Sequence, residues 1–215
     1  MTLASIRPHN LLKIDTAAIS FADTRSDQNI PLSVLRELDE IQLVVVRRAP
    51  MTQDLVPIGI RGPERFQRWG AWCSPVGIRQ IITPADLLTQ LVTTGDLQAT
   101  PLRRALQSLM TGWQWFKCPW GPGGSLGFEL ASGKSTTTSG SDLDIIIYAD
   151  EQFSRTDAQQ LIAATNNLEV SVDIRIETPM CGFSLAEYAG SDAQKILLRT
   201  SAGPVLAHEP WDAKL

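Results

Sequence analysis

Residues 140–148 read GSDLDIIIY, which places Asp142 and Asp144 one residue apart at the start of an apolar, β-branched run. Successive side chains of a strand point to opposite faces, so these two carboxylates share a face, about 6–7 Å apart along the strand. Like charges this close repel each other unless a positive charge lies between them. Because hard divalent cations prefer oxygen ligands, the pattern indicates a metal platform. The alternative is an exposed Ser/Asp turn that leads into a buried strand.

Two more features extend this pattern. Residues 123–125 (GGS) precede a predicted short helix, whose N-terminal N–H groups could hold phosphate oxygens. Asp173 lies within residues 169–177 (EVSVDIRIE), whose strict alternation of apolar and polar side chains predicts a strand. A carboxylate flanked by apolar residues needs a partner, so if the two strands pair, Asp173 completes a three-carboxylate site. Two cations held there would stabilise the attacking and leaving oxygens of a phosphoryl displacement.

The composition narrows the class of protein. The chain has 215 residues, 43% hydrophobic and 20% charged, which suits one large globular domain or two small ones. A net charge of −4 supplies no basic field for coating a nucleic-acid polymer. No apolar run approaches membrane-spanning length, and the N-terminus does not resemble a leader segment. Three scattered cysteines suit a reducing compartment and favour packing roles over zinc binding. We therefore expect a soluble cytoplasmic protein that spans no membrane.

The order of predicted elements indicates an α/β (α+β) fold. A Gly/Pro-rich break at residues 118–124 (CPWGPGG) predicts a domain boundary, with an accessory domain over 1–117 and a catalytic domain over 118–215. We expect a mixed sheet with flanking helices in the C-terminal half and a smaller α/β N-terminal domain. The strands are predicted over 41–48, 56–61, 142–148 and 169–177. The helices are predicted over 84–92, 101–115, 125–131 and 156–166, and from Ser184 through about Arg199.

Short motifs and longer stretches carry a resemblance to a known family. Gly124-Ser125, Ser141-Asp142-Leu143-Asp144 and Val172-Asp173 resemble the signature of the nucleotidyltransferase superfamily. Residues 124–133 (GSLGFELASG), 177–188 (ETPMCGFSLAEY) and 197–204 (LLRTSAGP) are similar to the phosphoribosyl-dephospho-CoA transferase of malonate decarboxylase, a holo-acyl-carrier-protein synthase. Residues 7–12 (RPHNLL) and 62–69 (GPERFQRW) resemble the N-terminal half of that family, so the resemblance covers nearly the whole chain.

The resemblance implies a reaction and a set of roles. The donor would be 2′-(5″-triphosphoribosyl)-3′-dephospho-CoA, and the acceptor a serine hydroxyl on the apo acyl-carrier subunit of malonate decarboxylase. Attack at the α-phosphate would release diphosphate. Asp142 and Asp144 would anchor two Mg²⁺ ions, and Asp173 would bind the metal that acidifies the serine hydroxyl. Gly124 and Ser125 would hold the leaving diphosphate.

Five further residues are predicted to bind substrate: Lys134, Ser141, Arg175, Lys195 and Arg199. Lys134 does not belong to a P-loop, because Phe128 stands where that motif needs its first glycine. It either meets a phosphate or is a solvated loop lysine. Arg175 either binds phosphate or pairs with a carboxylate. Lys195 and Arg199 are predicted to share one helix face, which is either a cationic wall for diphosphate or solvated.

Two other functions remain open at this point. A different nucleotidyltransferase could move AMP or another nucleotide onto a protein or small molecule, and the identity of the donor would distinguish it. A catalytically silent scaffold could bind a carrier protein without metal. Magnesium should raise the melting temperature of a metal-dependent enzyme and not that of such a scaffold.

Overall fold

The computed structural model describes residues 5–21, 30–50, 54–62, 64, 67–94, 100–190 and 195–212. The chain divides into two compact units, Met1–Thr83 and Pro84–Leu215. Both units combine helices with a β-sheet, as the α+β prediction requires. No helix within the described ranges is long and apolar enough to cross a membrane.

The helix and strands of the first unit are β1 (Leu11–Ile14), β2 (Ile19–Ser20), α1 (Leu32–Ile41), β3 (Leu43–Val46), β4 (Val56–Arg61), β5 (Arg68–Cys73) and β6 (Ile78–Ile82). The strands form an antiparallel sheet in the order β2-β5-β4-β3-β1-β6. Val34 and Leu38 of helix α1 are buried in the core of this unit with Val44 and Ile58.

The strand predicted over 56–61 is confirmed, whereas the one predicted over 41–48 is shorter than expected. Ile41 is the last residue of α1, and Gln42 adopts a left-handed conformation with φ of 52°. The Gln42 N–H donates to the Leu38 carbonyl at 2.7 Å and closes the helix. The strand therefore begins only at Leu43.

The second unit contains a mixed sheet, as predicted. Its helices are α2 (Pro84–Thr94), α3 (Pro101–Gly112), α4 (Gly124–Ser132), α5 (Arg155–Ala163) and α6 (Leu185–Tyr188). Its strands are β7 (Trp120–Pro122), β8 (Leu143–Tyr148), β9 (Val172–Glu177), β10 (Cys181–Ser184), β11 (Ile196–Thr200) and β12 (Gly203–Ala207). The strand order is β12-β11-β10-β9-β8-β7. β8 and β9 are parallel, and the other neighbouring pairs are antiparallel.

The units divide at Thr83–Pro84, whereas the Gly/Pro-rich break predicts a boundary at 117/118. The difference lies in α2 and α3, whose apolar side chains belong to the core of the second unit. Leu106 and Trp113 are buried in the same cluster as Ile145. The glycines of the break serve packing within this unit, since a Cβ on Gly121 would overlap the carbonyl group of Pro84.

The helix predicted from Ser184 through Arg199 is wrong. Among the described residues of that span (184–190 and 195–199), the helix covers Leu185–Tyr188, and Ile196–Thr200 pairs with Gly203–Ala207 in an antiparallel hairpin. Ile196 and Leu198 are fully buried while Leu197 and Arg199 are exposed, which is the two-residue period of a strand. The short apolar run fits either period, and burial of alternate residues decides for the strand.

The second sheet has two chemically different faces. Leu143, Ile145 and Ile147 point into the core beneath α3 and α5, together with Ile174 and Ile176 of the neighbouring strand. By strand alternation, Asp144 and Asp173 point to the opposite face. The two carboxylates lie near the N-terminal ends of β8 and β9, and Asp144 lies next to the start of α4.

Candidate active site

Asp144 and Asp173 lie directly opposite each other on the parallel strands β8 and β9. Neighbouring strands are about 4.8 Å apart, so two side chains in register on one face are adjacent. Asp142 precedes β8 by one residue and is exposed. The sequence-based expectation that the two strands pair and bring Asp173 beside Asp144 is therefore met by the sheet register.

The start of helix α4 lies against Asp144. The Gly123 N–H donates to the Asp144 carbonyl at 2.8 Å. Gly124 has φ of 53°, a left-handed conformation, and a Cβ built on it would overlap the Asp144 carboxylate and lie 2.9 Å from the Asp144 Cβ. Both the backbone conformation and the lack of space require glycine at this position.

The N-terminus of α4 suits an anion. The first N–H groups of a helix have no acceptor within the helix, and they carry the positive end of its dipole. Gly123 occupies the N-cap position and has no side chain to cap them. Gly124 and Ser125 are the first two residues of this nine-residue helix, so phosphate oxygens held there would lie beside Asp144.

Arg175 places a positive charge against this pair of carboxylates. Its Nη2 atom lies 3.2 Å from Asp173 Oδ2, in a partly exposed ion pair. Both residues belong to β9 and, two positions apart, share the face that carries Asp144. Of the two roles left open by the sequence, carboxylate pairing is the one that this structure contains.

Arg199 lies on the same sheet face, although not on a helix. It pairs with Gly182 of β10, which pairs with Glu177 of β9, so Arg199 is in register with Glu177 and, by alternation, shares a sheet face with Arg175. Lys195 is exposed and directly precedes β11. The helix face predicted for these two residues is therefore wrong: Arg199 lies on strand β11, and Lys195 directly precedes that strand.

The loop that joins α4 to β8 contains Lys134 and Ser141. The Ser141 hydroxyl accepts a hydrogen bond from the Thr138 N–H at 2.9 Å, and the Ser141 N–H donates to the Thr138 carbonyl at 3.1 Å. Ser141 thus closes a turn just before Asp142. The Lys134 N–H donates to the Ser132 hydroxyl at 3.2 Å. Substrate contacts by Lys134 and Ser141 stay predictions.

Sequence reasoning missed Glu129, which lies one helical turn after Ser125 on α4. Its side chain is 11% exposed and accepts hydrogen bonds from Thr136, Thr137 and Arg103. Burial favours the neutral acid, but these hydrogen bonds outweigh it and lower the pKa of Glu129 below its usual value. The available signal was an acidic residue within an otherwise apolar helix, GSLGFELAS.

The predicted three-carboxylate group and the cysteines can be compared with the structure directly. Within the described ranges, no three or more His, Cys, Asp or Glu side chains lie close enough together to hold a metal ion, so Asp144 and Asp173 are brought together but Asp142 does not complete a group of three with them. Burial raises the pKa of Cys73 to about 11 and also raises the pKa of Cys118. Such thiols are poor nucleophiles, in agreement with the predicted packing roles.

The contact between Gly124 and Asp144 gives a prediction about stability. Gly124→Ala should lower the free energy of unfolding by about 1–2 kcal/mol for its positive φ, and further because the methyl group displaces Asp144. Gly133 is the matched control, since its φ is 74° and a Cβ there meets nothing within 4 Å. Urea unfolding of both variants should show the larger loss for Gly124→Ala. Equal losses would mean that Gly124 is required for its conformation alone.

Comparison with known proteins places this geometry in a family. Residues 88–210 match the family described as Phosphoribosyl-dephospho-CoA transferase MdcG C-terminal domain. Residues 7–84 match the corresponding MdcG N-terminal domain. The two matches meet where the structure divides the chain, and the C-terminal match contains the Asp144–Asp173 pair and the start of α4. No solved structure matches the chain.

Several relatives share nearly the full length. The phosphoribosyl-dephospho-CoA transferase of Pseudomonas aeruginosa is 33% identical over 208 residues, which cover 97% of this chain and 95% of that protein. The protein of the same name from Pseudomonas putida strain GB-1 is 32% identical over 97% of this chain and 96% of its own length. The one from Klebsiella pneumoniae strain 342 is 32% identical over 78% of this chain and 80% of its own length. The chain therefore belongs to the phosphoribosyl-dephospho-CoA transferase family.

Proposed function

We propose that this enzyme transfers its nucleotide group from 2′-(5″-triphosphoribosyl)-3′-dephospho-CoA to a serine hydroxyl of the apo acyl-carrier subunit of malonate decarboxylase, with release of diphosphate. Membership of the family supports the group that is transferred. The carrier and the triphosphate donor come from the resemblance of residues 124–133 and 177–188 to the malonate decarboxylase enzyme. The free cysteines Cys73, Cys118 and Cys181 are compatible with a reducing cytoplasm as its location.

The observation that carries this proposal is the register of Asp144 with Asp173 beside the start of α4. Transfer of a nucleotidyl group from a triphosphate needs negative ligands for cations and positive groups for the leaving diphosphate. The strand pair supplies the first, and the helix N-terminus supplies the second. A hydrogen bond of 2.8 Å between Gly123 and Asp144 holds the two parts together.

Each residue has a separate task in the proposed reaction. Gly124 and Ser125 bind the β- and γ-phosphates through the N-terminus of α4 and thereby orient the α-phosphate. Asp173 would accept the proton of the attacking serine hydroxyl. Arg199 and Lys195 add positive charge on the Arg175 side of the sheet face. Most of the rate acceleration would come from positioning and charge neutralisation.

The donor set suits Mg²⁺, which prefers carboxylate and phosphate oxygens over nitrogen or sulfur ligands. Asp142, Asp144 and Asp173 would hold the ions, two in number if the superfamily pattern applies. When bound, they would offset the charge of the triphosphate and acidify the serine hydroxyl. The carboxylates themselves set the position of the donor on the sheet face.

Arg175 has to change partners for this arrangement to form. Its guanidinium contacts Asp173 at 3.2 Å and would compete with any cation for that carboxylate. The phosphates of the donor offer a better bidentate partner, since Arg–phosphate pairs are among the stronger hydrogen-bonded contacts. Arg175 would thus balance the charge of Asp173 in the free protein and bind a phosphate once the donor arrives.

The carboxylates can be tested one at a time. Asp142→Asn, Asp144→Asn and Asp173→Asn should each lower carrier labelling by at least about 10²-fold, because each removes a charge needed at the reacting phosphate. Removing one charge from a repelling pair should leave the melting temperature unchanged or slightly raised in metal-free buffer. Asp150→Asn, an exposed carboxylate just beyond the other end of β8, is the control and should label normally. Near-normal labelling of the carrier by Asp144→Asn would contradict the role proposed for these carboxylates.

The donor distinguishes this function from the alternative nucleotidyltransferase. ATP offers the same triphosphate to Gly124 and Ser125 but lacks the pantetheine arm and the extra ribose. Because remote binding energy helps to position the reacting phosphate, a truncated donor loses rate as well as affinity. Mass measurement of the apo carrier should show labelling by the triphosphoribosyl donor with Mg²⁺ and little or none by ATP. A gain of AMP mass, without labelling by the larger donor, would favour an adenylyltransferase.

A further inference from the structure

We infer that Glu129 is a positioning residue that acts through the loop of residues 134–141 to hold Ser125 and the approach to Asp142 in place for transfer. The inference rests on the proposed function, because it assumes that Gly124 and Ser125 bind the diphosphate. Glu129 contributes no group to the proposed chemistry itself. Its effect is exerted on the segment that joins the two halves of the site.

The loop has no apolar anchor of its own. Residues 134–141 read KSTTTSGS, and no residue between the end of α4 and β8 forms regular secondary structure. A segment without apolar side chains is fixed by hydrogen bonds or is not fixed at all. The position of this loop matters because α4 carries Ser125 at its start and Asp142 follows directly after the loop.

Glu129 supplies the hydrogen-bond acceptor that this loop needs. Its Oε2 atom accepts from the Thr136 N–H at 3.0 Å, the Thr137 N–H at 3.0 Å and the Thr137 hydroxyl at 2.7 Å. Its Oε1 atom faces Arg103 Nη2 at 3.3 Å. Three donors from two consecutive loop residues therefore converge on one carboxylate oxygen, which fixes the loop against α4.

The same loop residues return to the phosphate-binding end of the helix. The Thr136 hydroxyl donates to the Ser125 carbonyl at 2.8 Å. Further along, Thr138 and Ser141 close the turn that leads into Asp142. The contacts thus run from Glu129 through Thr136 to Ser125 in one direction, and along the chain to Asp142 in the other.

Substitutions of Glu129 should separate positioning from overall stability. Glu129→Ala removes the acceptor, so the Thr136 and Thr137 amides should exchange with solvent at least about tenfold faster. Donor affinity, measured by titration calorimetry, and donor KM should weaken by about tenfold, and kcat should fall by about 10- to 100-fold. Glu129→Gln can turn its carbonyl toward the loop but then places its amide against Arg103. It should therefore restore part of the affinity and part of the amide protection.

A second variant and a matched control complete the experiment. Thr137→Val deletes the 2.7 Å bond from the Thr137 hydroxyl to Glu129 and should also weaken donor affinity. Its effect should not add to that of Glu129→Ala, because Glu129→Ala already removes the same bond. Glu169 is the control, since it pairs with Arg104, the neighbour of Arg103 on α3. Glu169→Ala should leave loop exchange, donor affinity and KM within twofold of the parent.

The outcomes are separable. Donor KM and affinity do not depend on the amount of folded enzyme, so a purely structural role would lower the melting temperature of Glu129→Ala and leave both values unchanged. That result would overturn the inference. A parent protein that does not bind the triphosphoribosyl donor would instead contradict the proposed function, and this inference with it. Failure of the inference is read from the ratio of donor affinity and KM between variant and parent. Failure of the proposed function is read from donor binding by the parent alone.

Discussion

The contact between the start of α4 and the second residue of β8 is the constraint on which the site depends. The Gly123 N–H binds the Asp144 carbonyl, and Gly124 leaves no room for a side chain beside the Asp144 carboxylate. A helix N-terminus attracts anions, and a carboxylate attracts cations, so this contact places an anion-binding group beside a cation-binding group. A metal–triphosphate complex carries both charges and is the class of ligand that suits such a pair of groups.

The balance of charge around this contact explains how the second sheet holds two carboxylates side by side on one face. Asp144 and Asp173 are neighbours in register, and Arg175 contacts Asp173 from the same strand. The ion pair is partly exposed, so it contributes little to stability and can be exchanged at little expense. The network around Glu129 is different, because it is mostly buried and connects the loop to the helix. Exchangeable charge thus lies at the Asp173–Arg175 pair, and fixed charge lies at Glu129.

Local sequence patterns predicted most of the second unit, and the failures have physical causes. The strands containing Asp144 and Asp173 were predicted because alternation and β-branched residues leave little ambiguity. The segment 196–200 was assigned to a helix, because a short apolar run fits both periods and its hairpin partner is a tertiary feature. The domain boundary was predicted from a Gly/Pro-rich break, but burial of Leu106 and Trp113 decides where α3 belongs. Glu129 could not be found from spacing alone, since its role depends on loop residues folding back onto α4.

We propose that the paired carboxylates Asp144 and Asp173 bind cations together with a polyphosphate. Electron paramagnetic resonance of Mn²⁺, titrated into the protein with diphosphate present, measures this directly because free and bound Mn²⁺ give different signals. We expect that the parent binds Mn²⁺ with diphosphate, that Asp150→Asn binds equally well, and that Asp144→Asn loses binding. Equal Mn²⁺ binding by Asp144→Asn and the parent would contradict a cation site at this pair.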